Sequence, residues 1–171
     1  MKEGFTVRVL LGGSVINNKD YIRRVLEAVG LAVEIHAGQT DKQGVAYIFH
    51  PLRVAARLPS SLPAAFYEAA ILHDTFEDGE GNVVGKMIAA GVSSSAIEAV
   101  IIVSKQAGEE YGRFIDRIIA SGNAIAILVK GADLADNLDR SRGPIPDSMR
   151  KKYEKALAKL KGAVYPVEGG E

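Results

Sequence analysis

Ala69-Ala70-Ile71-Leu72-His73-Asp74-Thr75-Phe76-Glu77-Asp78 begins with small and apolar residues and ends on one imidazole and three carboxylates. The first half has no period-two alternation and reads as the end of a buried helix. The second half gathers metal-ligand and acid/base side chains. Adjacent imidazole and carboxylate groups can both ligate a metal if the helix stops there. On a continuous helix Glu77 lies four residues beyond His73 and shares its face. The stretch supplies half of a metal site, so the remaining ligands must come from elsewhere in the chain.

Working outward, helical spacing recurs nearly everywhere. From Asn18, the residues Ile22, Val25, Leu26, Val29, Ala32, Val33 and His36 form one face, and Gly38 ends the helix. Residues 38–49 form a polar loop with an apolar lead-in. His50-Pro51 then opens a helix through Leu58, since proline suits a first helical turn. Ser60 or Ser61 caps the next helix, which runs to about Asp74. A turn over 78–82 follows, then helices over 83–90, 94–104, 110–121, 123–139 and 146–161, punctuated by Gly91, Gly108, Gly122 and Gly143-Pro144. The expectation is a single all-α domain of seven or eight helices spanning 1–171. Residues 1–17 form an N-terminal extension and 162–171 a mobile tail.

Composition narrows the function. The 171 residues include 47% hydrophobic and 25% charged side chains, with 21 Lys plus Arg balancing 21 Asp plus Glu. That balance argues against binding to polymeric nucleic acid. There is no cysteine, which excludes thiolate metal sites and cysteine nucleophiles. No apolar run approaches the roughly 18 residues that span a membrane. A cytoplasmic protein is expected.

Histidine is scarce, with only His36, His50 and His73. A metal site must therefore complete its shell with carboxylates. His50 sits at a helix entrance, His73-Asp74 at a helix end, and Val129-Lys-Gly-Ala-Asp-Leu-Ala-Asp-Asn-Leu138 puts Asp133 on a helix with Asn137 one turn later. Two histidines and two aspartates make four ligands with positions left for water and substrate, a set suited to Mn²⁺, Fe²⁺ or Zn²⁺. Such a metal suits phosphoester hydrolysis.

The order His50, His73-Asp74, Asp133 resembles the HD superfamily of metal-dependent phosphohydrolases. Tyr47-Ile-Phe-His-Pro51, the stretch around His73, and Val129–Leu138 resemble the hydrolase domain of RelA/SpoT-type enzymes, including the small stand-alone alarmone hydrolases. The resemblance covers roughly residues 20–140. It implies an all-α fold, one Mn²⁺ ion held by His50, His73, Asp74 and Asp133, and removal of the 3′-pyrophosphate from ppGpp or pppGpp, the chemistry of the stringent response. It implies water activation and proton handling by Glu77 and Asp78, and a pocket lined by Asn137. Ser104-Lys105 resembles a Thr-Lys near the phosphates. Two positions depart from the family: the loop Gly38–Gly44 is short with Lys42 its one cation, and Gly131 stands where Leu is usual. Close packing is one explanation for a glycine inside a helix, where it costs about 1 kcal/mol relative to alanine.

Lys42, Arg53, Lys105 and Lys130 are candidate phosphate contacts, each otherwise a solvated charge. Tyr47 is placed to stack on a base or to pack beneath the loop. His36 reads as a packed histidine. The basic run Arg140, Arg142, Arg150, Lys151, Lys152, Lys155, Lys159 and Lys161 reads mainly as a solvated face. Two other functions fit the same ligands: an HD nucleotidase acting on nucleoside 5′-monophosphates, and a non-catalytic module that senses a nucleotide or neutralises a partner.

Overall fold

A computed structural model describes residues 18–164. The expected extension 1–17 and the tail beyond residue 164 lie outside the described residues. Among those described, the chain is helical apart from loops and one isolated antiparallel bridge between Thr40 and Ala46. The helices are α1 (Asn18–Ile35), α2 (Phe49–Ala56), α3 (Ala64–Leu72), the single turn α4 (Thr75–Asp78), α5 (Val83–Ala89), α6 (Ser94–Val103), α7 (Tyr111–Ala120), α8 (Ala124–Asn137) and α9 (Asp147–Val164). A 3₁₀ turn, Arg140–Arg142, joins α8 to α9.

The core is built around α3 and α8. Helix α3 packs against α1, α2, α6 and α8, and α8 also receives α9. A helix contacted on so many sides must be apolar nearly all round, and Phe66, Ala69, Ala70, Ile71 and Leu72 are buried in α3. The exception is Glu68, fully buried in that helix. Arg24 of α1 donates to both its carboxylate oxygens at 2.7 and 2.8 Å, and Ser93 adds its backbone N–H at 3.2 Å and its hydroxyl at 2.5 Å. One buried carboxylate therefore ties three elements together, and every oxygen is satisfied.

Helix ends are fixed by local chemistry. Asn82 accepts from the Gly85 N–H and Asn123 from the Ala126 N–H, each closing a helix N-terminus. Gly38, at φ +77°, takes the left-handed conformation that stops α1. Arg117 of α7 donates to the carbonyls of Ile102 and Ser104 at 3.0 and 2.9 Å and pairs with Glu109 at 2.8 Å. It satisfies the C-terminal end of α6 and sets the course of the loop that carries Lys105.

The structure revises five expectations, the first being the cap of α3: its N-cap is Pro63, with no side-chain hydrogen bond, and not Ser60 or Ser61. The helix before His73 ends at Leu72, and a new turn begins at Thr75, so His73 and Glu77 do not share one continuous helix face. The Thr75 hydroxyl donates to the Leu72 carbonyl at 2.6 Å, which satisfies the interrupted end. Helix α2 begins at Phe49, so His50 lies inside its first turn. Residues 162–164, expected in the tail, continue α9. Close packing does not explain Gly131: a β-carbon there meets no heavy atom within 4 Å. The space above it is a groove of about 260 Å³ between α8 and α9.

Candidate metal centre and substrate cavity

The break between α3 and α4 aims two side chains at one point. His73 Nδ1 lies 2.9 Å from the Ala70 carbonyl, so Nδ1 carries the proton and Nε2 faces away from the helix. Asp74 follows at the junction between α3 and α4, and its Oδ2 lies 3.0 Å from His73 Nε2. The Tyr47 hydroxyl donates to that same oxygen at 2.6 Å. From α2, His50 Nε2 stands 3.5 Å from Asp74 Oδ2 and 3.3 Å from Asp133 Oδ1. Asp133 Oδ1 is 3.7 Å from His73 Nε2.

Helix α8 holds Asp133 from both sides. Lys130, one turn before, donates to Oδ2 at 2.7 Å, and Asn137, one turn after, donates to Oδ1 at 2.5 Å. Lys130 Nζ also sits 5.1 Å from the centroid of the Phe114 ring, which holds the ammonium against its face.

The donor set fits a divalent cation. His50, His73 and Asp74 offer ligand atoms within 4.8 Å of one another, and Asp133 joins them at the distances given. Ligands about 2.1 Å from a common metal stand roughly 3.0–3.4 Å apart in octahedral or tetrahedral arrangements. His73 Nε2 is buried and has no hydrogen-bond partner: with the proton on Nδ1 it can only accept, and the nearby Asp74 Oδ2 is an acceptor too. A buried polar atom left this way costs about 1–3 kcal/mol, and a cation removes that cost. Without one, protons hold the cluster together. Burial favours the neutral His73 ring, but the adjacent Asp74 and Asp133 carboxylates outweigh it and push the imidazole up to about 10. Burial likewise opposes the Asp74 charge, yet His73 draws that carboxyl down to about 2. Asp133 is held well below the usual carboxylate range against its own burial, chiefly by Lys130 and the two histidines.

The cluster lies at the wall of a cavity of about 490 Å³. Of the residues expected there, Lys42, Tyr47, Glu77, Lys105, Lys130 and Asn137 line it together with His50, Asp74 and Asp133. Glu77 accepts from the Lys105 backbone N–H at 3.2 Å. Asp78 closes α4, and its side chain lies outside the described part of the structure. Tyr47 is wedged between rings, 5.0 Å from His36 and 5.6 Å from His50, with its hydroxyl on Asp74. His36 is buried as expected, with Nδ1 2.9 Å from Gln39 Oε1. Arg53 does not line the cavity: its guanidinium turns to Asp136, 3.1 Å away.

Sequence reasoning passed over Asp136 and Arg142. Asp136 is fully buried and lies 2.8 Å from His50 Nδ1. Arg142, expected on a solvated face, lies in the 3₁₀ turn on the cavity wall and donates to Asp136 at 3.0 Å and Asn137 at 2.9 Å. A signal was present in the acidic triplet spacing Asp133, Asp136, Asp139, which a wholly exposed helix face does not require. Ile145, Met149 and Tyr153 add apolar surface to the cavity lining.

A helical domain in which a His from α2, a His-Asp pair from the α3–α4 junction and an Asp from α8 converge beside one cavity is of the HD class. Comparison with known proteins agrees. No family model matches the chain. Escherichia coli (strain K12) bifunctional (p)ppGpp synthase/hydrolase SpoT is 32% identical over 143 residues, covering 78% of this chain and 20% of that protein. The guanosine-3′,5′-bis(diphosphate) 3′-pyrophosphohydrolase of Aquifex aeolicus is 30% identical over 151 residues, covering 82% of this chain and 21% of the relative. The chain thus spans about a fifth of the length of the curated relatives it matches. A solved structure described as a metazoan ortholog of SpoT that hydrolyzes ppGpp and plays a role in starvation responses superposes with a TM-score of 0.65 at 21% identity, over 91% of this chain and 88% of that one. At that identity the superposition shows the shared fold. The likeness to the RelA/SpoT-type branch of HD-domain proteins, carried in the sequence by three motifs, therefore holds across most of the chain.

Proposed function

We propose that this chain is a Mn²⁺-dependent phosphohydrolase that removes the 3′-pyrophosphate from a (p)ppGpp-like nucleotide. The observation that carries the reading is the buried His73 Nε2, without a hydrogen-bond partner, facing three further ligand atoms at the wall of a cavity of about 490 Å³. The names of the relatives support the substrate class.

When bound, the cation supplies Lewis acidity toward a phosphoryl oxygen and toward water. His50, His73, Asp74 and Asp133 would hold it. Tyr47 fixes Asp74, and Lys130 with Asn137 fixes Asp133, so the carboxylates enter the reaction already oriented. Glu77, on the cavity wall, accepts the proton of the attacking water, with Asp78 beside it in sequence in the proton-handling role. Lys42 and Lys105 approach the phosphates. Ile145, Met149 and Tyr153 give the uncharged part of the nucleotide an apolar wall. Among the described residues, no helix is long and apolar enough to cross a membrane. A substrate of this kind puts the proposed activity in the cytoplasm.

The test is incubation of purified protein with Mn²⁺ and a panel of nucleotides, with products separated by chromatography. The reading expects GDP and pyrophosphate from ppGpp. Free phosphate from nucleoside 5′-monophosphates, with ppGpp untouched, would replace it with the nucleotidase reading. Nucleotide binding without turnover, beside an active control enzyme, would replace it with the sensing module.

A further inference from the structure

The two histidines at the centre are backed differently. His73 Nδ1 donates to a neutral backbone carbonyl, that of Ala70, at 2.9 Å. His50 Nδ1 faces the Asp136 carboxylate at 2.8 Å. Asp136 is fully buried, yet it is crowded with donors: Arg53 Nε at 3.1 Å, Arg57 Nε at 3.2 Å and an Arg142 terminal nitrogen at 3.0 Å. The three guanidinium groups are each partly exposed, but the carboxylate they surround is not, and a buried charge of this kind is costly unless partners offset it.

Hydrogen-bond inventory fixes the proton. A guanidinium only donates and is never deprotonated in a protein. Both Asp136 oxygens are therefore committed as acceptors, and the hydrogen on the line to His50 belongs to Nδ1. The Arg142 terminal nitrogen 3.2 Å from His50 Nδ1 is then a neighbour and not a bonded partner, since both atoms donate. Its acceptors are Asp136 and Asn137. With Nδ1 protonated, the His50 lone pair is on Nε2, which points to Asp74 and Asp133. The same Arg142 reaches Asp133 through Asn137, which donates to Asp133 Oδ1. Two of the four ligands are thereby braced from one side of the cavity floor.

We propose that Asp136, clamped by Arg53, Arg57 and Arg142, is the positioning residue that makes His50 a strong metal ligand. It is distinct from the four ligands and touches neither metal nor substrate. The proposal rests on the reading of His50 as a ligand. A carboxylate behind a metal-binding imidazole fixes its tautomer and ring angle and increases its donor strength, and losing such a partner costs about 10–100-fold in metal affinity. The bland alternative is an ion-pair knot that merely ties α2 to the end of α8. Asp139 belongs to that knot, since Arg57 donates to it at 2.7 Å, and no contact joins it to His50. It is the control.

Full-chain Asp136→Asn and Asp139→Asn are titrated with Mn²⁺ by calorimetry, beside the wild type and His50→Ala, with thermal unfolding of each. Asp136→Asn should bind Mn²⁺ about 10–100-fold more weakly, while Asp139→Asn binds as the wild type does, whatever either change does to stability. Wild-type affinity in Asp136→Asn would overturn the proposal. Should that variant fail to fold, the wild type still decides: in the Zn²⁺-loaded protein, nitrogen-15 spectra should show His50 with Nδ1–H retained and Nε2 shifted by the metal. Coordination through Nδ1 would overturn it equally. A wild type that takes up neither Mn²⁺ nor Zn²⁺ is a different failure, that of the metal reading itself.

Discussion

Loading the site with a divalent cation should expel protons, and the structure says how strongly they compete. His73 ordinarily titrates near 6.5, but Asp74 and Asp133, overcoming its burial, hold it up at about 10. His50 is also raised, against its own burial, by Asp133 and Asp136. A metal takes the neutral imidazole, so it must first displace the proton. At pH 7.5 His73 therefore still holds its proton, and expelling it lowers the apparent metal affinity by roughly two orders of magnitude or more. Between about pH 6.5 and 8.5 the Mn²⁺ dissociation constant should fall at least tenfold per unit of pH. Calorimetric titrations in Tris and in Pipes, whose ionisation enthalpies differ, would count the protons, and between one and two should leave per metal bound. A flat dissociation constant across that range, with no buffer dependence of the enthalpy, would refute the argument. The metal-free fold carries the complementary signature. His73, raised in the folded state, stabilises it fully below 6.5 and loses that contribution as pH climbs through about 10. Asp74, depressed to about 2, stabilises it above 3.8 and loses that contribution as pH falls through about 2. The metal-free protein should resist unfolding best between these limits.

Three further outcomes are expected. Arg24→Ala removes the bidentate partner of buried Glu68; with Ser93 still donating and Arg24 itself a quarter exposed, the loss should be about 2 kcal/mol, below the 3–5 of a fully buried pair, and a Tm drop of roughly 4–8 °C by calorimetry. Gly131→Ala adds a β-carbon into open space within α8 and should stabilise the fold by about 0.5–1 kcal/mol in urea unfolding; destabilisation would mean the groove between α8 and α9 closes in solution. Glu77→Gln should leave Mn²⁺ affinity within about twofold but lower kcat on ppGpp by roughly 10²–10⁴, the usual worth of a general base.

How far the sequence could be read follows from how each residue earns its position. His50, His73-Asp74 and Asp133 each sit in a local pattern of apolar neighbours and helix ends, and such patterns survive in one dimension. The stop after Leu72 was legible in outline, but the restart at Thr75 was not. It depends on a hydroxyl closing back onto the Leu72 carbonyl, a choice that no periodicity records. Lys42 and Lys105 reach the cavity as expected, whereas Arg53, one turn along α2 from His50, turns to the back of the site. The difference is the buried acceptor on α8 that claims it, 83 residues away in the chain. Asp136 itself looked like one polar residue among several on a helix.

Histidine scarcity and the hidden carboxylate belong to one physical problem. A site with only two imidazoles must draw its remaining charge from aspartates, and aspartates near one another repel unless something positive lies between or behind them. Lys130 behind Asp133 and the arginines behind Asp136 provide positive charge on the protein side, and a divalent cation would provide it on the cavity side. This division of labour explains why so many cations lining or adjoining the cavity are already engaged. Lys130 and Arg142 hold the carboxylates in position, while Lys42 and Lys105 stand on the wall, where the proposed function would have them meet phosphates. The resting charge balance of the centre thus depends on its supporting cations as much as on its ligands, which is why a substitution behind His50 should be felt at the metal.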